Sequence, residues 1–260
     1  MFGRSLSLCP GIALVFCRCL CLSRRLPTLP SKPSRLIPSL QTEHELWDRG
    51  YEHVIGVDEV GRGPLAGSVV AAAVCIPLAM TTCIEVADSK RLSEKMRNRV
   101  YEQILADSSI KFAVSEVNSR RIDEVNILEA TMEAMTQSVC KLCEENAFNF
   151  DSSYVLVDGD KIPRLPMRSK GIVGGDAKVY SIAMASIIAK VTRDRSMVEY
   201  DHMFPQFGFA KHKGYPTKDH LYALHKFGPC SIHRLSFKPL KGRVFTPPIE
   251  PVGTREGETG

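Results

Sequence analysis

Acidic residues are missing from the first 42 positions, which carry Arg4, Arg18, Arg24, Arg25, Lys32 and Arg35 but no Asp or Glu before Glu43. Those six cations exceed the whole chain's net charge of +5 by one, so the remaining body sits at −1. General stickiness to polyanions is therefore excluded as a property of the body. An acid-free start rich in Arg, Ser, Leu and Pro has the composition of an organelle transit peptide, and residues 1–42 are expected to be a disordered leader addressed to mitochondrion or plastid. A secretory signal fits less well, because Arg18 interrupts the apolar run at 12–16 and Arg24 and Arg25 follow it.

Long apolar runs are absent too. No stretch reaches the roughly 18 uninterrupted apolar residues that a membrane span needs. The nine cysteines do not make a disulfide framework, since Cys9, Cys17, Cys19 and Cys21 lie in the leader and the other five are an odd set. Cys140 and Cys143 form a CxxC without a second pair or a nearby His, which leaves two reduced thiols on one helix face rather than a zinc site. With 44% hydrophobic and 24% charged residues, the chain otherwise has ordinary globular composition.

Beyond the leader, strand and helix signals alternate, as in an α/β protein. Residues 54–57 and 68–76 read as short buried strands with a glycine-rich turn between them. Residues 93–105 read as a helix capped by Ser93, 111–117 as a strand, and 126–145 as a long amphipathic helix. Residues 154–157 are another buried strand, and an alanine-rich helix follows Asp176. A catalytic core over 48–203, a basic helical portion of the same domain over 204–243 and a disordered tail over 244–260 are expected. From Lys190 to Arg243 there are eleven Lys or Arg, four acids and five histidines, the balance of a polyanion-binding face.

Acids stand at three element boundaries: Asp58 and Glu59 after the first strand, Asp158 after YVLV, and Asp176 before the long helix. Each alone has an ordinary explanation, a turn former for Asp158 or a helix cap for Asp176. Residues just past neighbouring strand ends converge on one edge of an α/β sheet. Four carboxylates there would repel unless cations neutralised them, and oxygen-only donors select Mg²⁺ or Mn²⁺ over Zn²⁺. Two such ions about 3.5–4 Å apart polarise a phosphodiester and activate water. Adjacent strand residues face opposite ways, so Asp58 and Glu59 are expected to share a site only where the strand ends or twists. The turn GRGPLAG is not a dinucleotide loop, because its glycine spacing is off by one and a strand follows where that loop needs a helix.

In order, the segments GVDEVGRGPLAG, ADSKRLSEKMR, IDEVNILEATMEAM, YVLVDGDKIP, GGDAKVYSIAMASIIAKVTRDR, FPQFGFAKHKGYPTKDH and HRLSFKP span nearly the whole body. Together they closely resemble the ribonuclease HII family of type 2 ribonucleases H. The resemblance implies a ribonuclease H-like mixed sheet flanked by helices, with a C-terminal helical portion. It implies a monomeric endonuclease that uses two Mg²⁺ or Mn²⁺ ions to hydrolyse RNA/DNA hybrids and single ribonucleotides in duplex DNA. The products would carry 5′-phosphate and 3′-hydroxyl ends, and the roles would be ribonucleotide and RNA primer removal.

By position, the family's catalytic and metal-binding carboxylates fall on Asp58, Glu59, Asp158 and Asp176, and its reader of the 2′-hydroxyl on Gly61, Arg62 and Gly63. Tyr215 falls on the tyrosine that stacks on the sugar following the ribonucleotide. Lys90, Ser186 and Lys190 fall on phosphate contacts. Asp160, where the family commonly has an amide, and Gly174, where it commonly has a lysine, depart from the pattern.

Overall fold

The central strand of the molecule, β1 (His53–Val60), is where apolar and acidic residues meet. The computed structural model describes residues 37–78, 84, 86 and 92–243, all within one compact unit; the leader up to residue 36, Lys90 and the tail from 244 lie outside the described residues. A helix α1 (Gln41–Trp47) precedes β1, and β2 (Val69–Cys75) follows it. Next come α2 (Glu94–Ala106), β3 (Lys111–Val117), α3 (Ser119–Val125), α4 (Ile127–Asn146), β4 (Ser153–Asp158) and β5 (Arg168–Ile172). A long α5 (Tyr180–Met203) and the short α6 (Phe209–His212) and α7 (Lys218–Phe227) complete the order.

The strands form one mixed sheet in the order β3-β2-β1-β4-β5, antiparallel among β1, β2 and β3 and parallel from β1 through β4 to β5. This is the expected mixed sheet with flanking helices. Side chains alternate across it. Val54, Ala72, Val74 and Leu156 pack on the α5 face, while Ile55, Val57, Ala71, Ala73, Val155 and Val157 pack on the α4 face. α5 lies so close to β1 that a Cβ on Gly56 would collide with the backbone of Ser181 and Ile182. Gly56→Ala should therefore cost about 1–3 kcal/mol, the usual size of overpacking. Urea unfolding should show a lower midpoint at unchanged slope, and an unshifted midpoint would mean that α5 has room to retreat.

Four local expectations need correction. First, β1 does not end at the acids: it stays paired with β2 through Val60, opposite Val70. Second, the helix read over 126–145 begins a residue later, because Asn126 takes φ 74° and its Oδ1 accepts from Leu128 N and Glu129 N, capping α4 and separating it from α3. Third, β5 escapes sequence reading because RSKGI has no apolar alternation, being an edge strand of exposed and half-buried residues. Fourth, the fold starts before residue 43. Ser39 N donates to Lys178 O and Tyr180 N to Ser39 O, while buried Glu43 accepts from Ser181 N at 2.7 Å and caps the first turn of α5.

The expected caps hold elsewhere: Ser93 accepts from Met96 N at the start of α2. Cys140 and Cys143 are free thiols on α4, the first half-buried and the second buried. The C-terminal helices close a third apolar cluster, in which Phe204, Phe207, Phe209 and Leu224 pack against Leu65, Ala66 and Met197. That cluster sets the C-terminal portion on the loop after β1.

Candidate active site

The β1–β4 ladder ends at the pair Val57 and Val157, so Asp58 and Asp158 follow side by side at the C-terminal ends of parallel strands. By alternation both belong to the α5 face, while Glu59, next along the strand where the ladder with β4 has ended, still lies near enough to Asp158 to feel its charge. Glu59 N donates to Asp58 Oδ1 at 2.7 Å. Asp58 is buried, and its pKa is pushed well above the ordinary carboxylate range, first by burial and then by the charges of Glu59 and Asp158; a hydrogen bond from Ser186 on α5 opposes the shift. Burial likewise raises Glu59, with Arg62 pulling it back and Asp158 adding to the rise. The Arg62 guanidinium stands 3.5 Å from Glu59 Oε1 with its side chain half exposed.

The fourth acid arrives on a 3-10 turn, Gly175–Ala177, between β5 and α5. Gly175 N donates to Asp158 Oδ1 at 2.6 Å, which sets buried Asp176 beside Asp158. A Cβ on Gly175 would lie 2.6 Å from Ile182 Cδ1 and 3.2 Å from that same Oδ1, so any larger residue would have to push the Ile182 side chain and the Asp158 carboxylate aside. Asp58, Glu59 and Asp158 thus act on one another, and Asp176 joins through its neighbour. Among the described residues no group of three or more His, Cys, Asp or Glu side chains is placed so that it could hold a metal ion as it stands. The donor set nevertheless fits hard cations: all oxygen, and with Asp58 buried against two like charges.

Of the two departures from the family pattern, Asp160 is exposed and the charges acting most on Asp58 and Glu59 are others. Gly174 takes φ 65°, where a lysine would be strained.

The glycine turn comes next along β1. Gly63 lies against Tyr215: a Cβ there would be 3.6 Å from the tyrosine ring. Leu65 N donates to Gly214 O, tying the two loops together. Tyr215 keeps 42% of its surface exposed, an aromatic face open to a ligand. Ser186 and Lys190 share a face of α5 one turn apart, but Lys190 is engaged by Asp194 at 2.7 Å.

What sequence reasoning misses is how the turn is held. Arg193 and Arg234, both essentially without solvent exposure, direct their guanidinium groups at backbone carbonyls. Arg193 donates to Ser68 O, Ala66 O and Lys213 O; Arg234 donates to Gly61 O, Arg62 O and twice to Gly67 O. By charge alone these arginines belong with the basic face, and nothing in composition separates a buried cation from a surface one. Lys211 in the same basic segment is paired with Asp219 at 2.8 Å on the surface. A cavity of about 570 Å³ opens at the other end of the parallel strands, lined by Arg49, Tyr51, Phe150 and Arg168 among others, and none of the acids reaches it. Asp58 and Asp176 are buried, whereas Arg62 and Gly63 of the turn are exposed.

A mixed sheet with carboxylates at the ends of its adjacent central strands and a long helix laid across it is the arrangement of a ribonuclease H-like fold. The family model described as ribonuclease HII matches residues 55–240. A curated ribonuclease HII from Francisella philomiragia is 48% identical over 188 residues, covering 72% of this chain and 97% of that protein. The crystal structure of ribonuclease H2 from Pyrococcus horikoshii superposes with a TM-score of 0.58 at 26% identity, covering 72% of this chain and 95% of that one. Bst-RNase HIII, solved in complex with Mn²⁺, shares the fold with a TM-score of 0.56 at 19% identity over 78% of this chain and 71% of that one. The chain belongs to the ribonuclease HII family.

Proposed function

We propose that this ribonuclease H cuts RNA/DNA hybrids and single ribonucleotides embedded in duplex DNA, leaving 5′-phosphate and 3′-hydroxyl ends, with Asp58, Glu59, Asp158 and Asp176 holding two divalent ions. The observation that carries the reading is Asp58: a carboxylate this deeply buried, beside Glu59 and Asp158, is costly unless a cation shares the site. Bound Mg²⁺ or Mn²⁺ would polarise the phosphodiester and lower the pKa of a water nucleophile. The Mn²⁺ bound by Bst-RNase HIII, a protein of the same fold, supports a divalent ion of this kind.

The protein's own groups hold the carboxylates in place. Ser186 donates to Asp58 and Gly175 N to Asp158, fixing the orientation of two acids without neutralising either. Gly61, Arg62 and Gly63 bring backbone close to the sugar, where only the 2′-hydroxyl separates RNA from DNA. Tyr215, beside Gly63, stacks on the next sugar and so senses the junction with DNA. Lys90, and Lys190 on exchanging Asp194 for a phosphate, contact phosphates, which position the duplex without reading it. The acid-free leader supports delivery to an organelle, which a reporter fused after residue 42 would show by where it accumulates, and the protein acts as a monomer.

The test uses the full chain on a duplex containing one ribonucleotide, beside an all-DNA duplex and an RNA/DNA hybrid, in Mg²⁺ or Mn²⁺. Metal-dependent cutting 5′ of the ribonucleotide is expected, and binding without cutting in either metal would sink the enzymatic reading. Arg62→Ala should lower cutting at the ribonucleotide by about 10- to 100-fold, the loss of one charged hydrogen bond. Metal affinity, followed by calorimetry, should shift much less than cutting, since the loss of Arg62 reaches the metal site only through the pKa of Glu59. Unaltered selectivity would remove the turn from the reading of the sugar.

A further inference from the structure

Three histidines that the proposed chemistry does not use are buried behind Tyr215: His212, His220 and His233, with the Cys230 thiol beside them. Their hydrogen bonds have a fixed direction. Cys230 N–H donates to His233 Nδ1 at 2.9 Å, so that nitrogen is an acceptor and the proton of a neutral ring lies on Nε2. His233 Nε2 is 3.0 Å from His220 Nε2 and donates to it, which places the His220 proton on Nδ1. His220 Nδ1 in turn meets Tyr215 O at 2.9 Å, a carbonyl that can only accept. Backbone groups at both ends thus dictate opposite tautomers for the two rings.

His212 stacks on His220 at 4.4 Å, accepting from Gly214 N at Nδ1 and donating from Nε2 to Phe207 O, so it too is satisfied as a neutral ring. Phe207 and Phe209 surround the stack. Burial pushes His220 down to about 4 and His233 to about 3, consistent with neutral rings at physiological pH. No metal reading survives this pattern, because the ring nitrogens are bonded to one another or to backbone and leave no lone pairs converging on a common point.

The relay joins two loops that the candidate site needs side by side. His233 bridges Ala66, Gly67 N donates to Ile232 O and Arg234 N to Leu65 O, so the Cys230–Arg234 segment is paired with the loop that continues from Gly61, Arg62 and Gly63. At its other end the relay terminates on the carbonyl of Tyr215 itself. We infer that His220 and His233 are positioning residues for ribonucleotide selectivity: an ordered pair of neutral imidazoles that sets Tyr215 against the glycine turn. This rests on Tyr215 reading the junction as proposed above.

The test compares full-length wild type, Tyr215→Ala, His220→Leu and His220→Asn, each with Mn²⁺, by the ratio of cutting at a single embedded ribonucleotide to cutting of an RNA/DNA hybrid. His220→Leu should lower the ratio about tenfold, as Tyr215→Ala does. His220→Asn, whose amide N–H can replace Nδ1–H, should recover to within about threefold of wild type. In the unsubstituted protein, ¹⁵N ring spectra at pH 7 should show His220 protonated on Nδ1 and His233 on Nε2. A ratio unchanged in His220→Leu but lowered in Tyr215→Ala would overturn the relay alone, whereas a ratio unchanged in Tyr215→Ala would overturn the reading of Tyr215 and the relay with it. Should His220→Leu fail to fold, a His220→Asn ratio as low as that of Tyr215→Ala, or ring spectra with the wrong tautomers, still overturns the proposal.

Discussion

Asp58→Asn should lose cutting in every metal, by about 10²- to 10³-fold or more, because several kcal/mol of transition-state stabilisation depend on cations that the full carboxylate set must hold. The same change should stabilise the protein without metal. In the folded chain Asp58 has a raised pKa, through burial, Glu59 and Asp158 in that order. The folded state therefore holds that proton more tightly than the unfolded chain, whose aspartates titrate near 3.9. Its contribution is fully present below about pH 4 and fades as pH rises through the folded value, so in alkaline solution the folded state must either hold a proton that the unfolded chain releases or bury a charge, and Asp58 becomes a burden either way. Asparagine removes that titration. Thermal unfolding in EDTA at pH 8 should show Asp58→Asn melting a few degrees above wild type, the size that about 1 kcal/mol makes in a domain of this length. Added Mn²⁺ should narrow or reverse the order by stabilising wild type more. Equal melting in EDTA would mean that the neighbouring acids do not repel as their placement requires.

Arg234→Met carries the second large effect, here on stability. It removes four hydrogen bonds to three carbonyls, Gly61 O, Arg62 O and Gly67 O, and leaves these acceptors with nothing of equal reach. A buried carbonyl left unpaired costs about 1–3 kcal/mol. The expected loss is about 3–5 kcal/mol, read from urea denaturation. Arg234→Lys should recover only part of it, since an ammonium point charge cannot span the same fork. Full recovery by lysine would show that charge, and not the geometry of the guanidinium, holds the turn.

Much of the site can be read from the chain because its parts have short-range signatures. Asp58, Glu59, Asp158 and Asp176 stand out as acids next to apolar runs or glycines, and the structure gathers Asp58 and Asp158 by the simple device of parallel strand ends. The strands with apolar runs are legible for the same reason. Their partners are not: β5 carries no pattern because an edge strand buries little, and the break at Asn126 depends on one residue adopting φ 74°. The roles of Arg193, Arg234, His220 and His233 are invisible because each is defined by a partner more than a hundred residues away or by a ring tautomer. Neither leaves a trace in local composition. The basic C-terminal segment looks like one surface in the sequence, and it is two things: exposed cations, and buried ones that brace the turn after β1.

That bracing has a consequence for how the protein is made. The guanidinium of Arg234 reaches carbonyls 167–173 residues earlier in the chain. During synthesis the strands bearing Asp58, Glu59 and Asp158 emerge first, and the turn beside them lacks its Arg234 hydrogen bonds until the 230s have left the ribosome. A polypeptide cut short before that point would keep its acids while lacking the framework that aims them. In the proposed mechanism, release of the finished chain is thus the step at which a stretch of folded sheet becomes able to tell one sugar from another.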